Sequence, residues 1–88
     1  MSFEERRLLK KSDLDYKVVS VTVVAGATSG SSAADSELVG GEILGFYPAG
    51  NQDQFVANVV LNPDGSVTVT LAAAATADNV FNVVVLKP

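Results

Sequence analysis

Residues 54–71 read QFVANVVLNPDGSVTVTL, and this stretch decides the fold. Val67, Val69 and Leu71 alternate with Ser66, Thr68 and Thr70, the period of a strand with one buried face. Before them, Asn62-Pro63-Asp64-Gly65 supplies the chemistry of a tight turn. Pro63 fixes φ at the second position and Gly65 accepts a positive φ at the end, as a bulge. The pattern predicts two strands, about 54–61 and 66–72, paired across that turn.

Three further segments carry strand patterns: KVVSVTVV (17–24), GEILGFY (41–47) and NVFNVVVLK (79–87). In the first, Val19, Val21 and Val23 alternate with Ser20 and Thr22. Pro48-Ala49-Gly50-Asn51 ends the second and Ala77-Asp78-Asn79 introduces the third. Residues 25–36, AGATSGSSAADS, are small and aperiodic and read as a loop. With no amphipathic helix between strands to make parallel crossovers, the expected class is all-β: a small antiparallel β-sandwich or barrel of about five or more strands.

Alternation assigns Val19, Val21, Val23, Leu44, Phe46, Phe55, Val59, Leu61, Val67, Val69, Leu71, Phe81, Val83 and Val85 to the core face. Val18, Val24, Ile43, Tyr47, Val56, Val60, Val84 and Leu86 then fall on the opposite face. That is more apolar surface than a lone small domain leaves to solvent. A second layer or a closing loop would cover part of it. The remainder implies a homo-oligomer, dimer or trimer, through a self-association surface of Ile43, Tyr47, Val56, Val60 and Val84.

The 88 residues make one domain with a thin stability margin. Cysteine and histidine are both missing, so neither a disulfide nor a histidine-held metal staples it. The charge is divided: residues 1–17 hold five basic against four acidic side chains (+1), and residues 18–88 hold Lys87 against six acids (−5). Residues 1–17, MSFEERRLLKKSDLDYK, are therefore read as a charged N-terminal arm, extended or short-helical, and residues 18–88 as the β domain. Ser2 with Glu5 fits a capping box, but Phe3, Leu8 and Leu9 do not share a helical stripe.

The acidic body repels nucleic acid, and the mixed-sign arm lacks the one-sign field that phosphate binding uses, so no nucleic-acid partner is expected. Leu8-Leu9 is the only adjacent apolar pair before Tyr16, too short for a secretory signal, and no run reaches a membrane span. The expectation is a protein made in a cytoplasm, with no membrane partner.

Chemistry is sparse. Without histidine or cysteine, a histidine-based triad and a thiol nucleophile are excluded. Asp13 with Asp15 and Asp35 with Glu37 could in principle offer oxygen ligands to calcium, but neither pair lies in a twelve-residue ligand loop, and both read as turn and cap residues. Gly26 to Ser32 lacks the lysine and the following helix of a phosphate loop. Asp53 reads as a turn-stabilising acceptor. No enzyme, catalytic residue, cofactor or metal is expected.

Residues 40–88 resemble small virion structural proteins of tailed bacteriophages, most closely head decoration (cement) proteins. The resemblance lies in the order of a GEILGFYPAGN strand and turn, the DGSVTVTL hairpin, the Ala-rich TLAAAATADN segment and a terminal VVVLK strand. It implies a non-enzymatic subunit that binds the major capsid protein or another virion protein and stabilises the shell from outside, located on the capsid surface of the virion. In that setting Arg6, Arg7, Lys10 and Lys11 of the arm would meet carboxylates of the partner, with Phe3, Leu8 and Leu9 as apolar anchors. A tail or baseplate structural subunit and a small carbohydrate-binding β module are the alternatives.

Overall fold

The structure, a computed structural model, describes residues 15–88. Its strands, in chain order, are β1 (Tyr16–Val23), β2 (Ser29–Ser31), β3 (Glu42–Pro48), β4 (Val56–Leu61), β5 (Val67–Leu71) and β6 (Asn79–Leu86), with one 3₁₀ turn at Ser36–Leu38. They form two antiparallel three-stranded sheets, ordered β1-β6-β3 and β2-β5-β4. Four of the five connections pass from one sheet to the other, and only β4–β5 is a hairpin within a sheet. β1 starts at Tyr16, so Tyr16 and Lys17 belong to a sheet rather than to the arm.

The hairpin forms where its sequence places it. Gly65 N–H donates to the Asn62 carbonyl at 2.9 Å and Asn62 N–H to the Ser66 carbonyl at 2.8 Å. Gly65 takes φ +85°, which a side chain would strain. Asp64 Oδ1 accepts from Ser66 N–H and Oγ, at 3.0 and 2.6 Å, and so locks the turn.

Strict alternation on β5 and β6 builds the core. Val67, Val69 and Leu71 from one sheet meet Phe81, Val83 and Val85 of β6 and Val21 and Val23 of β1 from the other, in one cluster with Leu38 and Ala75. Each such side chain contributes roughly 1.5–3 kcal/mol when fully buried, so this cluster is what holds the two sheets together. Asn79, the single buried side-chain amide among the described residues, is satisfied: it accepts from Asp53 N–H at 2.8 Å and donates to the Ala77 carbonyl at 2.8 Å. Its burial therefore leaves no polar group unpaired.

Two expectations fail, each for a physical reason. The 25–36 loop contains β2 and leads into the 3₁₀ turn, because its small residues allow backbones to touch: a Cβ on Gly30 would overlap the Thr22 carbonyl of β1. That contact draws the two sheets together along the β1–β2 side. On β3 and β4 the predicted phase slips. The register shifts between Ile43 and Gly45 and between Val56 and Asn58, so each strand carries an extra residue and its alternation reverses there. Ile43 and Val56, expected outside, pack against the core. Leu44 and Phe55, expected inside, are 54 % and 83 % exposed. Phe46 keeps the inner face opposite Val83, its ring edge-on to Phe81 at 6.5 Å, yet remains exposed because β3 is an edge strand.

Candidate interaction surfaces

The two outer faces differ in chemistry. On β1-β6-β3, the cross-strand rows are Tyr16–Leu86–Glu42, Val18–Val84–Gly45 and Ser20–Asn82–Tyr47. Tyr16, Val18 and Tyr47 are exposed there, and Gly45 adds no side chain to shield Val84. On β2-β5-β4 the corresponding rows are Ser29–Thr70–Asn58 and Ser31–Thr68–Val60. Hydroxyls there bond one another: Ser31 Oγ lies 2.7 Å from Thr68 Oγ1, which also accepts from Asn62 Nδ2 at 2.8 Å. One face is suited to excluding water and the other to holding it.

The side opposite the β1–β2 contact is open. Edge strands β3 and β4 belong to different sheets and bring their bulges face to face, leaving a cleft of about 340 Å³ lined by Ile43, Leu44, Gly45 and Phe46 and by Val56, Ala57, Asn58 and Val59. Phe55 stands beside it, its carbonyl held by Ala72 N–H at 2.8 Å.

Most charged groups among the described residues are committed to the fold. Lys17 pairs with Asp35 and reaches Glu37 at 3.5 Å, while Lys87 reaches Asp15 and Glu37 at 3.7 Å each. Asp35 also caps the 3₁₀ turn, accepting from Glu37 N–H at 3.0 Å. The Lys17 hydrogen bond, aided by that backbone donor, holds the Asp35 carboxyl below its ordinary value, and the same bond raises Lys17. Asp53 ties loop 49–55 to loop 72–78, accepting from Thr76 Oγ1 at 2.7 Å, Ala77 N–H at 3.1 Å and Asn51 Nδ2 at 3.1 Å. Led by the Thr76 hydroxyl, these donors lower Asp53 to about 2. Ser66, through its hydroxyl and then its N–H, lowers Asp64 in the hairpin turn.

The cap reading of Asp35 and the turn-acceptor reading of Asp53 agree with these contacts, whereas the carboxylates of Glu37 and Asp15 face lysines instead, and Asp13 lies outside the described residues. Among the described residues, no group of three His, Cys, Asp or Glu side chains is gathered as metal ligands. In the Gly26–Ser32 segment, the Gly26, Ala27 and Ser32 amides donate to the Ala75, Val24 and Val67 carbonyls, so they are not free to cradle an anion. No helix among the described residues is long and apolar enough to cross a membrane.

Phe3, Arg6, Arg7, Leu8, Leu9, Lys10 and Lys11 lie outside the described residues. The five residues read as a self-association surface are spread over three places. Tyr47 and Val84 lie on the outer face of β1-β6-β3, Val60 lies on that of β2-β5-β4, and Ile43 and Val56 turn inward at the cleft. Sequence reasoning missed the exposure of Leu44, Phe46 and Phe55. A signal existed: Gly45 inside a strand pattern marks a bulge, and the doubled Ile43-Leu44 and Val59-Val60-Leu61 break strict alternation. Comparison with known protein families finds no match, nor do comparisons with curated sequences and with solved structures.

Proposed function

We propose that this chain is a non-enzymatic structural subunit of a tailed-phage virion, which decorates and stabilises the outside of the capsid shell by binding the major capsid protein. The observation that carries this reading is the contrast between its two outer faces: β1-β6-β3 presents Tyr16, Val18, Tyr47 and Val84 beside Glu42, Ser20 and Asn82, whereas β2-β5-β4 presents mainly hydroxyls and an amide, with Val60 exposed among them. The two sheets act as the layers of a small β-sandwich, with the apolar layer against the shell and the hydroxyl layer toward water.

The strand and turn order of residues 40–88 supports a virion origin. The N-terminal residues add a second contact, in which Arg6, Arg7, Lys10 and Lys11 meet carboxylates of the shell and Phe3, Leu8 and Leu9 anchor the segment. Binding to the assembled shell but not to free capsid subunits stabilises the assembly by RT ln(1 + [L]/Kd), about 2.7 kcal/mol per copy at a hundredfold excess over Kd. No catalytic group is involved.

Imaging of native particles tests the assignment. The reading expects one copy set per capsid lattice position, with Val18 and Val84 turned toward the shell. Copies arranged as a ring or tube would replace it with the tail or baseplate subunit. Binding of the isolated chain to glycans, quenched by loss of the exposed Tyr47, would replace it with the carbohydrate module.

A further inference from the structure

We infer that the β3–β4 side of the molecule pairs with the same side of a second copy about a two-fold axis, each copy placing its Phe55 ring in the other's cleft. The inference does not depend on the virion reading. Phe55 is the most exposed large apolar side chain among the described residues, at 83 %, although its backbone is fixed by the Ala72 hydrogen bond. A fixed backbone leaves little ordering entropy to lose on docking. Immediately beside it lies the open cleft between β3 and β4, lined largely by apolar side chains, Ile43, Leu44, Phe46, Val56 and Val59 among them. A phenyl ring can lie against these walls and cover apolar surface that one copy leaves exposed.

Knob and hole are adjacent in the chain, Phe55 beside Val56. Only a two-fold partner can fill both holes with both knobs at once, which is the self-complementarity of an isologous interface. Charge selects the same side. Residues 15–88 carry two basic and seven acidic side chains, a balance of −5, so like copies repel one another. The residues that line the cleft, 43–46 and 56–59, carry no charge, and Glu42 at the start of β3 is the one charged residue in the two strands.

The footprint sets the strength. A six-residue strand spans about 20 Å and two stacked sheets with their side chains roughly as much, giving on the order of 400 Å² per copy before surface relief is counted. That is smaller than the about 800 Å² per partner of a standard stable interface, so the dimer is weak, with a Kd on the order of micromolar or above.

Sedimentation of the full chain from about 1 to 500 µM would read it, over the range this footprint implies. The expected result is a concentration-dependent shift from monomer to dimer. Phe55→Ser should weaken it by about tenfold or more, as loss of a central aromatic anchor does, with an unchanged circular dichroism spectrum and melting point. Filling the hole from its own wall with Ala57→Phe should do the same. Because the chain has no cysteine, mixing Phe55→Cys with Ala57→Cys protein should give a disulfide-linked heterodimer in preference to either homodimer. A wild type that stays monomeric throughout overturns the inference, and so does a Phe55→Ser protein that dimerises like wild type. A dimer cross-linked through Val18→Cys on the outer face of β1-β6-β3, rather than through the cleft, overturns it as well.

Discussion

Gly65 lies so close to Asp35 that a Cβ on it would overlap the Asp35 carbonyl. The hairpin turn and the 3₁₀ turn, far apart in sequence, are thereby fitted together, and Asp35 N–H donates to the Asp64 carbonyl at 3.2 Å across the same contact. Gly65 is required twice, once for its φ of +85° and once for lack of space.

Gly65→Ala should accordingly destabilise the protein by about 2–5 kcal/mol, combining left-handed strain with overpacking. Gly65→Asn relieves the backbone preference but not the overlap, so it should remain nearly as unstable. Gly26, with φ +86° and open space around it, isolates the first effect: Gly26→Ala should cost only about 1–2 kcal/mol. Urea unfolding of the three variants measures all of these. A Gly65→Asn protein as stable as wild type would show that the turns are not in contact.

The bulges make an opposite pair of predictions at adjacent residues. Ile43 packs against the core and Leu44 is exposed, although alternation alone assigns them the reverse way. Ile43→Ala should lower stability by about 2 kcal/mol or more, and Leu44→Ser should change it by no more than about 0.5 kcal/mol. Reversed effects in chemical denaturation would place the strand in the unbulged register.

What the sequence disclosed, and what it withheld, follows from how local each signal is. The β4–β5 hairpin was legible because turn chemistry and alternation sit in one continuous stretch, and β1 and β6 because each is a Val-rich run bounded by turn residues that pairs without a register shift between them. The phase of β3 and β4 was not, since a bulge is set by the partner strand's twist and register, and Leu44 looks no different from a core leucine until β6 is beside it. β2 was invisible for a related reason: Gly30 is selected by the Thr22 carbonyl of another sheet and leaves no apolar period of its own. Of the candidate surfaces, the outward phase of Val18, Tyr47 and Val84 could be read, whereas the cleft required both bulges to be placed.

Acid should lower the stability of the protein through three carboxylates. Asp35, Asp53 and Asp64 are all held below the ordinary value of 3.8 in the folded chain, Asp53 at about 2. The unfolded chain therefore binds more protons than the folded one in this range, and stability rises with pH. Their contribution is complete above about pH 4 and is lost as pH falls from there through the folded values, toward about 2 for Asp53. Lys17 has the opposite sense: its contribution is present below 10.5 and disappears as pH rises through its raised folded value. Melting curves between pH 2 and 7 should show less pH dependence for Asp53→Asn than for wild type. Parallel curves for the two would mean that the loop clasp at Thr76 and Ala77 is not formed.

The most direct measurement of the functional account is thermal release of the genome from particles made without this protein, with wild-type protein added back or with Val18→Asp added back. Val18 is exposed on the apolar outer face, so the substituted chain should fold as wild type by circular dichroism while losing its hold on the shell. The account predicts that undecorated particles assemble but release their genome at a lower temperature, that wild-type protein restores the difference, and that Val18→Asp protein does not. Equal release temperatures with and without the wild-type protein would contradict it.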